Sequence, residues 1–313
     1  MTDTFLAIVN PAAGGGRCGK LAPAALDDLR AKGIALEVQT TSAAGQATII
    51  AVQAYKNGYR KFIAVGGDGT TWEIVNGLYP QALNAATASN TANAADSNSR
   101  PALGFLPLGT GNSFLKDFSI TSAPAAAAAL AAGKRRRCDV IRLTHTTGEI
   151  YYINLLTLGF AADVAVVANR YFKFLGPAGY VAAVSICLAR LDRRAFPLRT
   201  DLDPNLDTRP CLFLAFSNSK YTGGKMLIAP NAITDDGLIE YVRWGPISRL
   251  GLIRNFHTLF DGTHVNHHLA SRAGVRRVEF ELDGPVNVMI DGESPQLQCQ
   301  RLEILPGVLD VCV

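Results

Sequence analysis

The sequence has few cysteines, little charge and no long apolar run. The six cysteines among its 313 residues form no Cys-x-x-Cys pair, so we expect neither a zinc site nor a disulfide framework. The longest nearly uncharged apolar stretch, Tyr180–Ala189, is shorter than the ~20 residues that span a bilayer. The first residues contain no basic segment, which argues against a secretory signal. We therefore expect a reduced, cytoplasmic protein.

The charge balance and the apolar content limit the function classes. Charged residues make up 18% of the chain and the formal net charge is +4, which gives no reason to expect a nucleic acid partner. Hydrophobic residues make up 48%, which excludes a chain that is disordered throughout. At ~150 residues per domain, the length predicts about two domains.

Strands and helices alternate in the first third of the chain. Phe5–Val9, Phe62–Val65 and Ala102–Leu106 are short apolar runs, each followed by a glycine-rich turn. This pattern predicts an α/β domain with an open parallel sheet over residues 1–135, to which residues 302–313 can return. Ligands of such sheets bind beyond the carboxyl ends of the strands, so we expect the three turns to converge on one crevice.

The rest of the chain is rich in short strands. Ile150–Leu158 and Val286–Ile290 have strand-like sequences, and tight turns such as Asp283-Gly284 join several of the segments. This pattern predicts a β-rich domain of antiparallel, sandwich-like architecture over residues 136–313.

The turn Gly66-Gly67-Asp68-Gly69-Thr70 carries the strongest chemical signal. Glycines let backbone N–H groups approach a phosphate, and a helix N-terminus favours negative charge. Asp68 would then bind Mg²⁺ or accept a proton from a hydroxyl; the alternative is a tight turn in which Asp68 caps a helix. Thr70 and Glu73 match a capping box. The turn Gly109–Asn112 adds groups that can bind phosphate or ribose, whereas the P-loop and dinucleotide fingerprints are missing.

Two acidic turns stand out in the β-rich half. Asp235-Asp236-Gly237 precedes a predicted strand, and Asp291-Gly292-Glu293 follows one. Asp-Gly is a strong turn former, so hairpin turns explain both segments by composition. The functional interpretations are a metal site at the first turn and a catalytic carboxylate at the second.

Five segments together resemble the diacylglycerol kinase catalytic-domain family, which includes bacterial lipid kinases, sphingosine kinases and ceramide kinases. They are Asn10-Pro11, Gly66–Thr70, Gly109–Asn112, Asp235–Gly237 and Asp291–Glu293, and their order and spacing cover essentially the whole chain. The resemblance implies two domains with a nucleotide cleft between them. It also implies transfer of the γ-phosphoryl group of ATP to a lipid hydroxyl, with Mg²⁺.

The resemblance also implies site residues. Asp68 would act at the metal and the γ-phosphate, and Glu293 would accept the proton of the lipid hydroxyl, although some family members give the base role to the aspartate. Asp236, with backbone oxygens near Ile233 and Leu238, matches a secondary Mg²⁺ site. The implied nucleotide site comprises Asn10, Pro11, Ala12, Ala13, Gly14, Thr41, Gly66, Gly67, Gly69, Thr70, Glu73, Gly109, Thr110, Gly111 and Asn112.

One departure from the family leaves the substrate open. Bacterial diacylglycerol kinases usually have Asp where this chain has Ser113, and sphingosine-kinase-like members also lack that acid. Diacylglycerol is our first choice, followed by a sphingoid base or ceramide. Next come a kinase of a soluble nucleotide that resembles NAD kinases, and a non-catalytic lipid- or nucleotide-binding protein.

The expected partner is a lipid at a membrane surface. Basic residues at Lys134–Arg137, Arg190 and Arg193, and the aromatic segment Tyr171–Leu175, favour peripheral contact at the inner face of the membrane. No nucleic acid partner is expected. The oligomeric state stays open, including a homodimer formed through an edge strand of the second domain.

Overall fold

The computed structural model describes residues 4–88, 100–172, 177–223 and 225–313. The chain forms two compact units: unit 1 comprises Met1–Val140 and Pro306–Val313, and unit 2 comprises Ile141–Leu305. The sequence placed the boundary at residues 135 and 136. Part of the low-complexity segment Asn84–Arg100 and part of the aromatic segment Tyr171–Leu175 lie outside the described residues.

The strands and helices follow one another in the order expected of an α/β unit and a β-rich unit. The strands are β1 (Phe5–Val9), β2 (Leu36–Thr40), β3 (Lys61–Gly66), β4 (Ala102–Pro107), β5 (Arg135–His145), β6 (Gly148–Tyr152), β7 (Leu155–Gly159), β8 (Leu198–Thr200), β9 (Phe213–Ser217), β10 (Tyr221–Thr222), β11 (Met226–Leu227), β12 (Ile239–Trp244), β13 (Ala270–Val275), β14 (Arg277–Phe280), β15 (Val286–Ile290), β16 (Gln296–Leu297) and β17 (Cys299–Cys312). The α-helices are α1 (Arg17–Ala31), α2 (Gln46–Lys56), α3 (Asp68–Leu78), α4 (Gln81–Ala88), α5 (Ala123–Ala131), α6 (Phe160–Tyr171), α7 (Pro177–Ala189), α8 (Arg249–Asn255) and α9 (Thr258–Asp261).

Unit 1 is built on a parallel sheet in the order β2-β1-β3-β4, extended by the last residues of β17. Asp310 and Val311 of β17 pair with Ala102 and Leu103, also in parallel. The central strands β1 and β3 are almost fully buried because both faces of a parallel sheet are covered. The predicted open parallel sheet is confirmed.

Unit 2 is antiparallel. Six strands form a sheet in the order β13-β12-β9-β7-β15-β16, and β14 pairs antiparallel with β8 and with β17 outside that sheet. One face of the six-stranded sheet, with Phe213, Ala215, Val242 and Trp244, packs into a core with residues of α6 to α9. This arrangement confirms the predicted antiparallel, sandwich-like domain.

The sequence predicted one strand over Ile150–Leu158, and this prediction is wrong because the segment forms two separate strands. The chain breaks at Ile153 and Asn154, so that β6 pairs with β5 whereas β7 pairs with β9 and β15. The break has a physical cause, because the carboxylate of Asp291 accepts the backbone N–H groups there that would otherwise join a ladder. A mostly apolar run of this length does not reveal such a partner.

All six cysteines are free and buried. Within the described ranges, none of the helices combines the length and the apolar character that crossing a membrane requires.

Candidate active site

The turns that follow β3 and β4 touch through their glycines. The backbone N–H of Gly109 donates to the carbonyl oxygen of Gly66 over 2.7 Å. A Cβ atom at Gly109 would lie 2.5 Å from the Cα of Gly67, so a side chain there would force the two turns apart. The close approach explains why glycine stands at these positions. The expected convergence of the turns is therefore observed for these two.

The turn after β1 joins the same group. The Asn10 side-chain amide donates to Thr70 Oγ1 over 3.2 Å, and its Oδ1 accepts from the N–H of Ala12. Gly14 has a φ of 63°, and a Cβ atom there would lie 3.1 Å from the carbonyl oxygen of Leu108. Three predicted nucleotide-binding turns thus meet at the carboxyl edge of the parallel sheet.

Helix N-termini also meet at this edge. Helix α1 begins after Gly16 and α3 begins after Gly67, and among the described residues neither N-cap position carries a side-chain cap. Uncapped N–H groups and the helix dipole favour an anion such as phosphate. Thr41 directly follows β2 and is buried, and its N–H donates to the carbonyl oxygen of Val9.

Asp68 opens α3 and faces the turn after β4. Both of its carboxylate oxygens lie 3.1 Å from the backbone nitrogen of Ser113, and a Cβ atom at Gly111 would lie 2.6 Å from Oδ2. Burial raises the pKa of Asp68 to about 6, while the N–H and hydroxyl of Ser113 act in the opposite direction. Within the described ranges, no Lys or Arg charge contributes to this shift. A buried carboxylate with a raised pKa suits a divalent cation, whose positive charge would stabilise the ionised form of Asp68.

Removing the hydroxyl of Ser113 should shift the pH dependence of catalysis. If the chain turns over ATP, as the resemblance implies, and needs a charged Asp68 carboxylate, kcat/KM for ATP should fall as the pH drops through about 6. In Ser113→Ala the carboxylate loses a donor, so its pKa rises and the midpoint moves to higher pH. A pH profile of kcat/KM measures this, and an unmoved midpoint would show that the hydroxyl does not act on Asp68.

The predicted capping box at Thr70 and Glu73 is wrong, because α3 begins at Asp68. The carboxylate of Glu73 instead accepts the backbone N–H groups of Gly45 and Ala47 over 2.9 and 3.0 Å. It thereby caps the N-terminus of α2. Its predicted role at the nucleotide stays a prediction, and its observed contacts are structural.

The remaining residues of the turn after β4 differ in exposure. Thr110 is exposed at its tip. Asn112 adopts a left-handed φ of 48° and its amide donates to the carbonyl oxygen of Gly109. Asn tolerates this conformation better than most residues, which accounts for its position here.

In unit 2, Glu293 stands at the end of a two-residue hairpin turn. Ile290 and Glu293 exchange both backbone hydrogen bonds, and Asp291 and Gly292 between them have positive φ values of 45° and 94°. This geometry is that of a type I′ turn. Glu293 itself is exposed, so its carboxylate is available to a substrate.

Asp291 anchors this turn. Its buried carboxylate accepts the backbone N–H groups of Ile153, Asn154 and Leu155 over 3.0 to 3.2 Å. The residue therefore fixes the position of Glu293 and does not itself face solvent.

Neutralising Asp291 should destabilise unit 2. In Asp291→Asn one oxygen acceptor becomes an N–H₂ donor that faces other donors, and we expect a loss of about 2–3 kcal/mol in the free energy of unfolding. Denaturant unfolding measures the loss. Asp283→Asn, in an exposed Asp-Gly turn, is the matched control. Equal stability of the two variants would show that the three contacts contribute little.

Asp236 lies in a turn before β12. Its Oδ1 accepts the N–H of Leu238 over 2.9 Å, while Ile233 is 53% exposed. Over the described part of the chain, no group of three or more His, Cys, Asp or Glu residues could hold a metal ion. The turn offers the carboxylates of Asp235 and Asp236 with neighbouring carbonyl groups, and its role as a secondary Mg²⁺ site stays a prediction.

Unit 2 also contains an apolar cavity of about 200 Å³ that sequence reasoning missed. Helices α6 to α9 and strands β7, β9 and β15 line it, and Gly292, the neighbour of Glu293, lies at its wall. Its lining residues are scattered from Thr157 to Gly292, so no local pattern in the sequence could have revealed it.

Comparisons with known proteins agree with this architecture. The model of the diacylglycerol kinase catalytic domain matches residues 4–143, and that of the YegS C-terminal NAD kinase beta sandwich-like domain matches residues 154–313. A diacylglycerol kinase of Mycobacterium tuberculosis is 30% identical over 309 residues, 97% of this chain and 93% of the relative. A probable YegS-like lipid kinase of Chromohalobacter salexigens is 29% identical, covering 91% and 86%.

A solved structure shares the fold. A crystal structure of a diacylglycerol kinase from Bacillus anthracis superposes with a TM-score of 0.68 at 19% identity and covers 99% of this chain and 96% of its own. The chain belongs to the diacylglycerol kinase and YegS-like lipid kinase family. It is thus a lipid kinase, a transferase that acts on an alcohol group, which confirms the predicted family and enzyme class.

Proposed function

We propose that the protein transfers the γ-phosphoryl group of ATP to the free hydroxyl of diacylglycerol and requires Mg²⁺. The observation that carries this proposal is the apolar cavity of unit 2, whose wall reaches Gly292 beside the exposed Glu293. Such a cavity suits an acyl chain and offers little to a polar soluble substrate. The diacylglycerol kinase of Mycobacterium tuberculosis supports diacylglycerol as the first choice.

Unit 1 supplies the groups that suit the nucleotide. The N-termini of α1 and α3 and the glycine-rich turns offer backbone N–H groups to the phosphates. Asp68 would hold Mg²⁺, which neutralises part of the phosphate charge when bound. Asn10, Thr70 and Asn112 position these turns through their hydrogen bonds.

The reaction exchanges one phosphorus–oxygen bond for another. The hydroxyl oxygen of the lipid forms a bond to the γ-phosphorus, and the bond from that phosphorus to the bridging oxygen of ADP breaks. The carboxylate of Glu293 accepts the hydroxyl proton. In phosphoryl transfer the protein acts mainly by positioning groups and balancing charge, which fits the fixed turns described above.

The membrane is the source of such a lipid, and α7 and α8 suit contact with it. Val181 on α7, and Leu250 and Ile253 on α8, are 56–68% exposed, and Arg254 is exposed beside them. Both helices also line the cavity. Sedimentation with phosphatidylglycerol vesicles should carry the wild type down and leave the double variant Leu250→Asp, Ile253→Asp in solution. Equal sedimentation of both proteins would contradict this contact.

A variant that fills the cavity tests the proposed function. Ala161 on α6 lines the cavity, so Ala161→Phe should raise KM for dioctanoylglycerol at least about tenfold and leave KM for ATP unchanged. Val166→Phe, on the same helix, places the ring at a position that does not line the cavity and is the matched control. Label from γ-labelled ATP is followed into the organic phase. No labelled lipid with the wild type, or equal KM values in all three proteins, would overturn the proposal.

A further inference from the structure

Ser294, the residue that follows Glu293, is held by helix α6. Asn169 of α6 donates a hydrogen bond from its side-chain amide to Ser294 Oγ over 3.0 Å. The next residue, Pro295, has no backbone N–H to donate, so this side-chain contact tethers the arm of the hairpin that leaves Glu293. Asp291 holds the start of the turn through three backbone N–H groups.

A second contact joins α6 to the same hairpin. Asp163 of that helix accepts a hydrogen bond from the side-chain amide of Asn287 in β15 over 2.7 Å. Ala162 packs in one apolar cluster with Met289 of β15. The antiparallel register puts Met289 opposite Ser294, and alternate residues of a strand face the same side. One face of the hairpin is therefore fastened to α6 along its length.

The same helix forms a wall of the apolar cavity. Its lining residues run from Phe160 to Asn169. Asn169 is exposed, so water competes for its hydrogen bond to Ser294. An acyl chain in the cavity would cover Asn169 from water, and a hydrogen bond is stronger in such a low-dielectric setting. The contact that holds the arm after Glu293 would therefore strengthen as the cavity fills.

We propose that Asn169 is a positioning residue. Through Ser294 it fixes the arm of the hairpin that carries Glu293, and it does so most firmly when an acyl chain occupies the cavity. The inference rests on the proposed function. It makes the acyl chain, which is remote from the reacting hydroxyl, contribute to the rate as well as to binding. Binding energy from a non-reacting part of a substrate is used in this way to orient the reacting groups.

Two acylglycerols of different chain length test the inference. At saturating lipid, the wild type should turn over dioctanoylglycerol about fivefold faster than dihexanoylglycerol, whose chains fill less of the cavity. In Ser294→Ala we expect kcat for dioctanoylglycerol to fall about fivefold, as for the loss of one hydrogen bond, and kcat for dihexanoylglycerol to fall less than about twofold. KM for ATP should stay the same, because the contact lies within unit 2 and the predicted nucleotide turns belong to unit 1.

Three further variants complete the test. Ser294→Thr keeps the hydroxyl and should keep the wild-type dependence on chain length. The double variant Asn169→Ala, Ser294→Ala should be no slower than Ser294→Ala alone, because two residues that act through one contact are not additive. Ser185→Ala removes a serine hydrogen bond of the same length, 3.0 Å, from α7 and should change neither rate. Thermal unfolding shows whether each variant is folded under the assay conditions.

The outcomes separate the two proposals. If the wild type labels the lipids but Ser294→Ala keeps the wild-type rates, or slows both lipids by the same factor, the inference is overturned and the proposed function stands. Equal wild-type rates on the two lipids, or an additive double variant, would also overturn the inference. If the wild type labels neither lipid, the proposed function fails and the inference fails with it. A loss of rate confined to dioctanoylglycerol supports both.

Discussion

Asp68→Asn should strongly slow phosphoryl transfer and yet stabilise the folded chain at pH 8. Asparagine keeps the shape of the side chain and an oxygen that can accept the N–H of Ser113. It loses the negative charge that suits a divalent cation at the phosphates. We expect kcat to fall by roughly 10³-fold, the size of effect seen when a preorganised electrostatic group is removed.

The gain in stability follows from the pKa of Asp68. Burial raises that pKa from 3.8 to about 6, so the folded state binds the proton more tightly than the unfolded state does. Stability is therefore lost as the pH rises from about 4 to about 6, and the full cost remains above that range. Asparagine is uncharged, so its burial carries no such cost of desolvating a charge. The melting temperature of Asp68→Asn should exceed that of the wild type at pH 8 and match it near pH 4.

The test measures both kcat and the melting temperature, for Asp68→Asn and for a control variant. Asp27→Asn replaces an aspartate with a 72% exposed side chain on α1 and should change neither property. If Asp68→Asn lost both activity and stability, Asp68 would be a structural cap of α3. If it kept a tenth or more of the wild-type rate, Asp68 would not act at the metal.

Glu293→Gln should cost about 10²- to 10⁴-fold in kcat, the range that a positioned general base contributes. Glutamine keeps the length of the side chain and cannot accept a proton. Because Glu293 is exposed and its turn is held by the backbone and by Asp291, the variant should fold as well as the wild type. KM for ATP should stay the same.

The matched control is Glu279→Gln, which changes another exposed glutamate of unit 2. Steady-state kinetics on dioctanoylglycerol and a thermal melt measure both effects. A variant that retains most of the wild-type kcat would place the base elsewhere, with Asp68 as the next candidate.

The sequence predicted the features that local chemistry specifies. The runs before Asn10 and Gly66 have the apolar character of buried parallel strands, and such strands bring their carboxyl ends to one edge. Asp291-Gly292 is a strong turn former, and it forms the expected hairpin turn. These predictions needed only residues that are neighbours in the chain.

The features that the sequence did not predict depend on distant residues. Glu73 caps a helix whose N-terminus lies 26 to 28 positions earlier, and Asp291 accepts N–H groups 136 to 138 positions away. The role of Ser113 at Asp68 likewise spans 45 positions. Such contacts arise from the folded sheet and helices and leave no periodic pattern in the sequence.

The fate of the transferred phosphate tests the central claim most directly. The wild type would be given γ-labelled ATP and Mg²⁺ with dioctanoylglycerol, sphingosine, ceramide and NAD⁺ in one mixture, and the products would be separated by extraction. We expect the label in the organic phase as phosphorylated diacylglycerol, because the cavity beside Glu293 is apolar. Label that remains in the aqueous phase as a phosphorylated nucleotide would contradict the assignment of a lipid substrate, and label in sphingosine or ceramide would contradict the choice of diacylglycerol.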